Sequence, residues 1–267
     1  MSWQAVRLIF RGMVMRKSFI FFLFLCFLSG LFLLGINIIG TIWRPNKNLH
    51  GKNTVSYIQA TRLLHKNLTN FSTDKELANF VTAIFFRSIK HYWSSSDPSL
   101  RISIFHNWPL FLKSRLPYEY YDYSWAISRG VGLCSQKAIA LADFMNKQGY
   151  KTRVVCLHGH VVAETYFPDK KIMVLDSDYG VVLPFDLEYA HKHIQTVINV
   201  YRKDQLRAID NKTILQLKRI YSNKKYDYSY YARVIHNLIK YRVVKWLVPL
   251  LLLCFPLFIL FFRKFNK

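Results

Sequence analysis

Residues 130–145 read GVGLCSQKAIALADFM, and this stretch decides the fold class of the chain. Gly130 and Gly132 lead into Cys134. After it, Ala138, Leu141, Ala142 and Met145 recur at the three- and four-residue spacing of a helix that buries one face. A packing cysteine sits inside an apolar element as a small hydrophobe. Cys134 falls instead at the helix start, where unpaired N–H groups and the helix dipole favour negative charge and a thiol gives up its proton most readily. The helix is expected to run to about Gln148, with Gly149 as its C-cap.

The elements around it give the fold class. Upstream, Thr73 and Glu76 have capping-box spacing, and Leu77, Phe80, Val81, Ile84 and Phe85 form an apolar helical face that SSSDP (94–98) ends. Residues 97–124 are aromatic-rich and carry no clean periodicity. Downstream, TRVVCLHGHVVAETYF (152–167) and KKIMVLDSDYGVVLPF (170–185), separated by a turn at Pro168–Asp169, read as neighbouring antiparallel strands. Residues 186 to 245 look helical again. Helices first, strands later and helices to close make the class α+β.

A nucleophilic thiol needs a base, and the base needs an orienting group. In a regular strand His160, Val162, Glu164 and Tyr166 share one face; on the next strand Ile172, Val174 and Asp176 do. A three-residue loop pairing Tyr166 with Lys170 sets His160 directly opposite Asp176. His160 would then take the proton of Cys134, Asp176 would hold the ring, and the thiolate would attack an amide or ester carbon with the Cys134 N–H helping to hold the oxyanion. No second oxyanion donor is identifiable.

GVGLCSQKA, GHVVAE and VLDSDYG together resemble the transglutaminase-like superfamily of papain-type thiol enzymes, which places a G-x-C at a helix start, a histidine on one strand and an aspartate on the next. The resemblance covers roughly residues 115–190. It implies Cys134 as nucleophile, His160 as base, Asp176 as orienting acid, Gly132 as the glycine of the G-x-C, and Glu164 at a supporting acidic position. Where many members carry a tryptophan two residues after the histidine, this chain has Val162. Protein cross-linking, peptide or amide hydrolysis and acyl transfer all occur on the scaffold, as do inactive binding domains.

Some alternatives stay open. Regular alternation puts Cys156 and His158 on the face of His160, so His158 is a second candidate base, unless Gly159 marks a bulge that breaks the parity. Asp178 is a second candidate acid, although it suits the SDYG turn. Cys134, Cys156 and the two histidines could in principle hold zinc, but no C-x-x-C knuckle exists, and neither a metal nor another cofactor is expected. Two domain cysteines are too few for a disulfide framework. Cys26 and Cys254 lie in apolar segments and Cys156 reads as sheet packing. The cluster YEYYDYSW (118–125) is the candidate substrate wall.

Two near-continuously apolar segments flank this domain. Residues 19–43 number 25, about 37 Å of helix, enough to cross a bilayer with tilt. They offer no cleavage site and read as a retained anchor. Residues 246–262 are shorter and carry Pro249 and Pro256, yet Lys245, Arg263 and Lys264 stand ready to snorkel at both ends. The expected plan is a basic cytoplasmic tail (1–18), a span (19–43), a transglutaminase-like domain (44–245), a second span (246–262) and a basic tail (263–267). Basic residues near the spans are balanced between the two sides. The N-terminal flank of the first span and the length of the loop favour an extracytoplasmic domain, read as periplasmic on a bacterial inner membrane.

Of the formal net charge of +23, the loop domain holds +16, and residues 202–245 carry twelve basic against three acidic side chains. With no recognised nucleic-acid motif, and with the stretch leading into an apolar helix, anionic headgroups are the expected counterpart and nucleic acid is not. The sequence therefore points to a membrane-anchored thiol enzyme cleaving or transferring an amide or ester acyl group of a peptide, protein or glycan-linked substrate. The alternative is a non-catalytic domain of the same fold that binds peptide or glycan in envelope or polysaccharide assembly.

Overall fold

A computed structural model describes residues 17–44, 55–66, 71–92, 102–113, 118–206 and 208–265. Most of the basic N-terminal tail, the polar linker after the first apolar segment and the SSSDP stop lie outside the described residues. The fold is α+β, and the chain divides into two compact units, one of residues 1–43, 103–113 and 239–267, the other of residues 44–102 and 114–238.

The first unit contains α1 (Lys17–Ile42), α4 (Ile104–Lys113) and most of α10 (Tyr230–Phe265). Ser18–Ile42 and Ala232–Phe262 are long and apolar enough to cross a membrane. Only 17% of each most apolar stretch is buried, which separates them from the core helices of a soluble domain. The second helix extends well beyond residues 246–262, because α10 is already helical from Tyr230 and runs through both prolines. Inside this unit the buried Asn37 donates from Nδ2 to the Lys245 carbonyl at 2.6 Å, tying α1 to α10.

The second unit is built on α2 (Tyr57–Lys66), α3 (Asp74–Ser88), β1 (Lys90–His91), α5 (Tyr123–Arg129), β2 (Val131–Gly132) and α6 (Cys134–Lys147). It continues with β3 (Lys151–Leu157), β4 (His160–Tyr166), β5 (Ile172–Asp176), β6 (Val181–Leu183), α7 (Leu187–Lys192), α8 (Ile194–Asp204), α9 (Asn211–Ser222) and β7 (Tyr226–Asp227). Its antiparallel sheet has the order β6-β5-β4-β3-β7, and β1 and β2 form a separate parallel pair. Thr73 caps α3 as its spacing predicts, and Glu76 reaches back chiefly to the hydroxyl and N–H of Ser72, with the Thr73 N–H also in reach. Helix α6 is buried all round from Ser135 to Ala142, not on one face alone, and Gly149 follows its end at φ +88°. It packs on β3 and β4, with α3 and α5 against its other sides.

Residues 152–167 do not form one strand. They fold into the β3–β4 hairpin, whose two turn residues, His158 (φ +36°) and Gly159 (φ +102°), both take the positive φ that a tight two-residue hairpin needs. The turn breaks the parity expected for a regular strand. Cys156 pairs with Val161 and Leu157 with His160, so Cys156 and His160 belong to opposite faces.

The register of β4 and β5 also differs from the expectation. Tyr166 pairs with Ile172, not Lys170, because Phe167 and Lys171 close a longer loop through a 2.9 Å hydrogen bond. The shift is by two residues, so every side chain keeps its face. His160 and Asp176 become diagonal rather than direct neighbours, a separation that long side chains still bridge. On that face Val155, Leu157, Val162, Val174, Val181 and Leu183 pack beneath α7, α8 and α9.

The parallel β1–β2 pair sets His91 beside Gly132, two residues before Cys134. A Cβ on Gly132 would stand 2.6 Å from Cβ of the fully buried Gln136. Gly132→Ala is therefore expected to cost about 1–3 kcal/mol, the range for overpacking a tight site. A denaturant titration showing no loss would contradict this close approach.

Candidate functional site

The elements meet at the start of α6. Leu133, in extended conformation, precedes Cys134 and gives no side-chain cap, so no side chain of the cap residue competes for the first-turn N–H groups. The preceding loop is clamped from several sides. Gly130 ends α5 at φ +68°, Lys90 N–H donates to its carbonyl at 2.9 Å, and Tyr92 N–H donates to that of Gly132 at 3.1 Å. Arg129, 3% exposed, donates to the carbonyls of Val131 and Tyr118 and to Gln136 Oε1 at 2.9, 2.6 and 2.7 Å. Gln136 closes the network through both backbone groups of Tyr120.

His160 begins β4 and is 5% exposed. Its Nε2 lies 2.7 Å from Asp176 Oδ2, and the partly exposed Cys134 thiol lies within interaction reach of the ring. Burial on its own would depress the imidazole. The Asp176 carboxylate and the Cys134 sulfur outweigh it and hold His160 well above the ordinary histidine range. The structure thus brings together Cys134, His160 and Asp176.

Asp176 is fully buried and fully satisfied. Its Oδ1 accepts from the N–H groups of Asp178 and Tyr179 at 2.9 and 3.3 Å, and its Oδ2 accepts from His160 and from the Tyr201 hydroxyl at 2.5 Å. Tyr201 in turn shares a 2.9 Å hydrogen bond with the hydroxyl of Tyr221, and both rings are buried. Sequence reading missed this pair. Tyr201 sits on the apolar face of α8 with Val197 and Ile198, where a buried tyrosine needs a hydroxyl partner. That was a signal that a polar group lay nearby, but not which one.

The other expected residues serve elsewhere. His158 is exposed in the hairpin turn. Asp178 Oδ1 faces His91 Nδ1 at 2.6 Å and Lys137 Nζ at 3.4 Å. Burial would raise its carboxyl, but these partners hold it well below the usual carboxylate range. Its backbone N–H donates to Asp176, and its carboxylate lies within electrostatic reach of His160. Glu164, 1% exposed, accepts from Arg153 Nε at 2.6 Å and from the Leu187 N–H at 3.1 Å, joining β3, β4 and the start of α7. Cys156 lies within electrostatic reach of Cys134 and His160 as a free thiol, pushed up by burial. Among the described residues no group of three or more His, Cys, Asp or Glu could hold a metal ion.

Nor is YEYYDYSW an open wall. Tyr118, Tyr120 and Tyr123 are buried, Tyr120 stacked on Trp125 and Tyr123 packed edge-on against Phe85 and Phe144. Glu119, from the same cluster, takes hydrogen bonds from Ser135, the residue after the thiol, and from the Tyr230 hydroxyl at 3.2 Å. Burial pushes its carboxyl up. No protein-family model matches the chain, and no curated protein matches it.

Two stability predictions follow from these partners. Tyr201→Phe deletes a hydrogen bond to a buried carboxylate and should cost about 1.5–3 kcal/mol, whereas an ordinary neutral hydrogen bond costs about 1 kcal/mol; urea titrations of the two tyrosine-to-phenylalanine variants should rank Tyr201→Phe above Tyr221→Phe. The pH dependence of His160 has a defined sign. Because its folded value is raised, its stabilisation is full below the unfolded histidine value of about 6.5 and is lost as pH rises through the folded value. The stability gap between the native chain and His160→Gln should narrow on going to alkaline pH, and a gap that widens there would contradict the assignment.

Proposed function

We propose that the unit of residues 44–102 and 114–238 is a cysteine-dependent acyl-transfer or hydrolase domain of the transglutaminase-like, papain-type class, held to a membrane by the two apolar helices. One observation carries the proposal: a partly exposed thiol at an uncapped helix start lies within interaction reach of a buried histidine whose Nε2 is fixed by a buried carboxylate. Structural cysteines have no need of such partners.

The chemistry follows from the geometry. His160 removes the thiol proton, and the imidazolium is stabilised by Asp176, which keeps its own charge. Cys134 Sγ attacks the carbonyl carbon of an amide or ester, and the oxyanion forms at the α6 N-terminus within reach of the Cys134 N–H. On collapse the C–N or C–O bond breaks and the leaving amine or alcohol takes the proton from His160. Water or a second nucleophile then attacks the thioester, giving its proton to His160 and restoring the thiol. Substrates of this chemical class are peptides, proteins and glycan-linked amides or esters. We assign the domain to the extracytoplasmic side, since a long loop translocates largely regardless of its charge.

The test is alkylation of Cys134 by iodoacetamide at pH 6 in detergent-solubilised full-length chain, read by peptide mass spectrometry so that the other three cysteines are scored separately. Native protein should react roughly tenfold or more faster than His160→Ala, because the histidine supplies the thiolate. Equal rates would remove the enzyme reading and favour a non-catalytic domain that binds peptide or glycan.

A further inference from the structure

The segment SIFHNWPLFLK (103–113) belongs by its packing to the unit of the apolar helices, not to the domain whose sequence it interrupts. It is not one regular helix. Asn107 leaves helical geometry (φ −155°, ψ 82°), and its Oδ1 accepts the Leu110 N–H at 3.3 Å, starting a second short helix with Pro109 in its first turn. The N–H groups of His106 and Asn107 both donate to the Ser103 carbonyl at 3.0 and 3.2 Å. These bonds keep the break internally satisfied.

The segment is pinned to both apolar helices. A Cβ on Gly40 would stand 1.6 Å from the Phe105 carbonyl oxygen, so α1 and this backbone touch at a point that only glycine allows. The Trp43 and Phe105 rings meet edge to face at 6.1 Å. From α10, Lys245 Nζ donates to the His106 carbonyl at 2.8 Å, and Lys113 Nζ lies 5.3 Å over the Tyr241 ring.

Its remaining surface is apolar and open. Ile104 and Phe105 are each 37% exposed, Phe111 44% and Leu112 72%, and the same unit exposes Ile38, Ile39 and Ile42 of α1 and Val243 and Leu247 of α10. A patch of this composition exposed to water would be costly at about 25 cal/mol per Å². The same unit holds Trp43, Trp108, Tyr241 and Trp246 with the exposed Lys113, the mixture of amphipathic rings and a snorkelling cation that marks a bilayer interface. Eleven residues reach at most about 17 Å as helix, too short to span a core of about 30 Å.

We propose that Ser103–Lys113 is a third membrane-contacting element, lying in the bilayer interface with Ile104, Phe105, Phe111 and Leu112 against lipid. The proposal rests on the reading of α1 and α10 as spans. The occupant is lipid because the segment packs in one unit with those two helices, whose own exposed residues are apolar. An irregular backbone suits that depth only when its polar groups are satisfied, as they are at Asn107 and Ser103.

The test places an environment-sensitive fluorescent amino acid at Leu112 or Phe111 of the otherwise unchanged full-length chain in phosphatidylcholine–phosphatidylglycerol nanodiscs. Exposed Leu251 serves as the span control and exposed Lys171 as the water control. Lipids doxyl-labelled near the headgroup should quench the probes at Leu112 and Phe111 and leave the one at Lys171 bright, and lipids labelled deep in the chain should quench Leu251. If Leu112 and Phe111 stay as bright as Lys171 while Leu251 is quenched, this inference fails and the spans stand. If Leu251 also stays bright, the spanning reading fails and this inference with it.

Discussion

The domain is organised around one costly group, the Asp176 carboxylate. It is fully buried, and an uncompensated ion in such a place costs several kcal/mol. Four donors converge on it from three sources: the turn after β5, β4 through His160, and α8 through Tyr201. The charge explains why His160 is pushed well above the ordinary histidine range despite its own burial. It also explains why the neighbouring helices face each other with tyrosines where leucines would fill the same space. Removing any donor leaves part of a buried charge unmatched, so strand register, turn and helix packing are fixed together.

A second constraint acts on the loop that leads into Cys134. Arg129 and Gln136, both buried, tie the loop before Cys134 to the backbone of Tyr118, Tyr120 and Val131. Asp178, His91 and Lys137 form a further buried charged group between β1, α6 and the turn after β5. The position of Cys134 is therefore set by polar networks and not by hydrophobic packing alone. That is the kind of pre-organisation a nucleophile requires, because a shift of about 1 Å between reacting groups can cost two orders of magnitude in rate.

Much of this was legible before any coordinates. The spacing after Cys134 and the Gly149 end identify α6, and period-two alternation puts His160 and Asp176 on one face even though the loop length was misjudged by two residues. The face survived because the error was even. The β3–β4 hairpin was missed because its turn is His-Gly rather than the Asn-Gly that advertises such turns. A histidine before a glycine does tolerate positive φ, and that was the available clue. Tyr201, Tyr221 and Glu119 were out of reach, since their roles depend on contacts between residues up to 111 positions apart. Residues 103–113 resisted reading for a physical reason: part of their apolar surface is not turned to the core of the domain around them, so no core-facing period is written into them.

The most direct measurement of the central claim is the protonation state of the His160 ring, read from its 15N resonances in ring-labelled full-length protein as pH is raised. The account predicts an imidazolium with both ring nitrogens protonated well above the ordinary histidine value of about 6.5, and a fall toward that value in Asp176→Asn. A ring in the native protein that becomes neutral near 6.5, with no change in the variant, would contradict it.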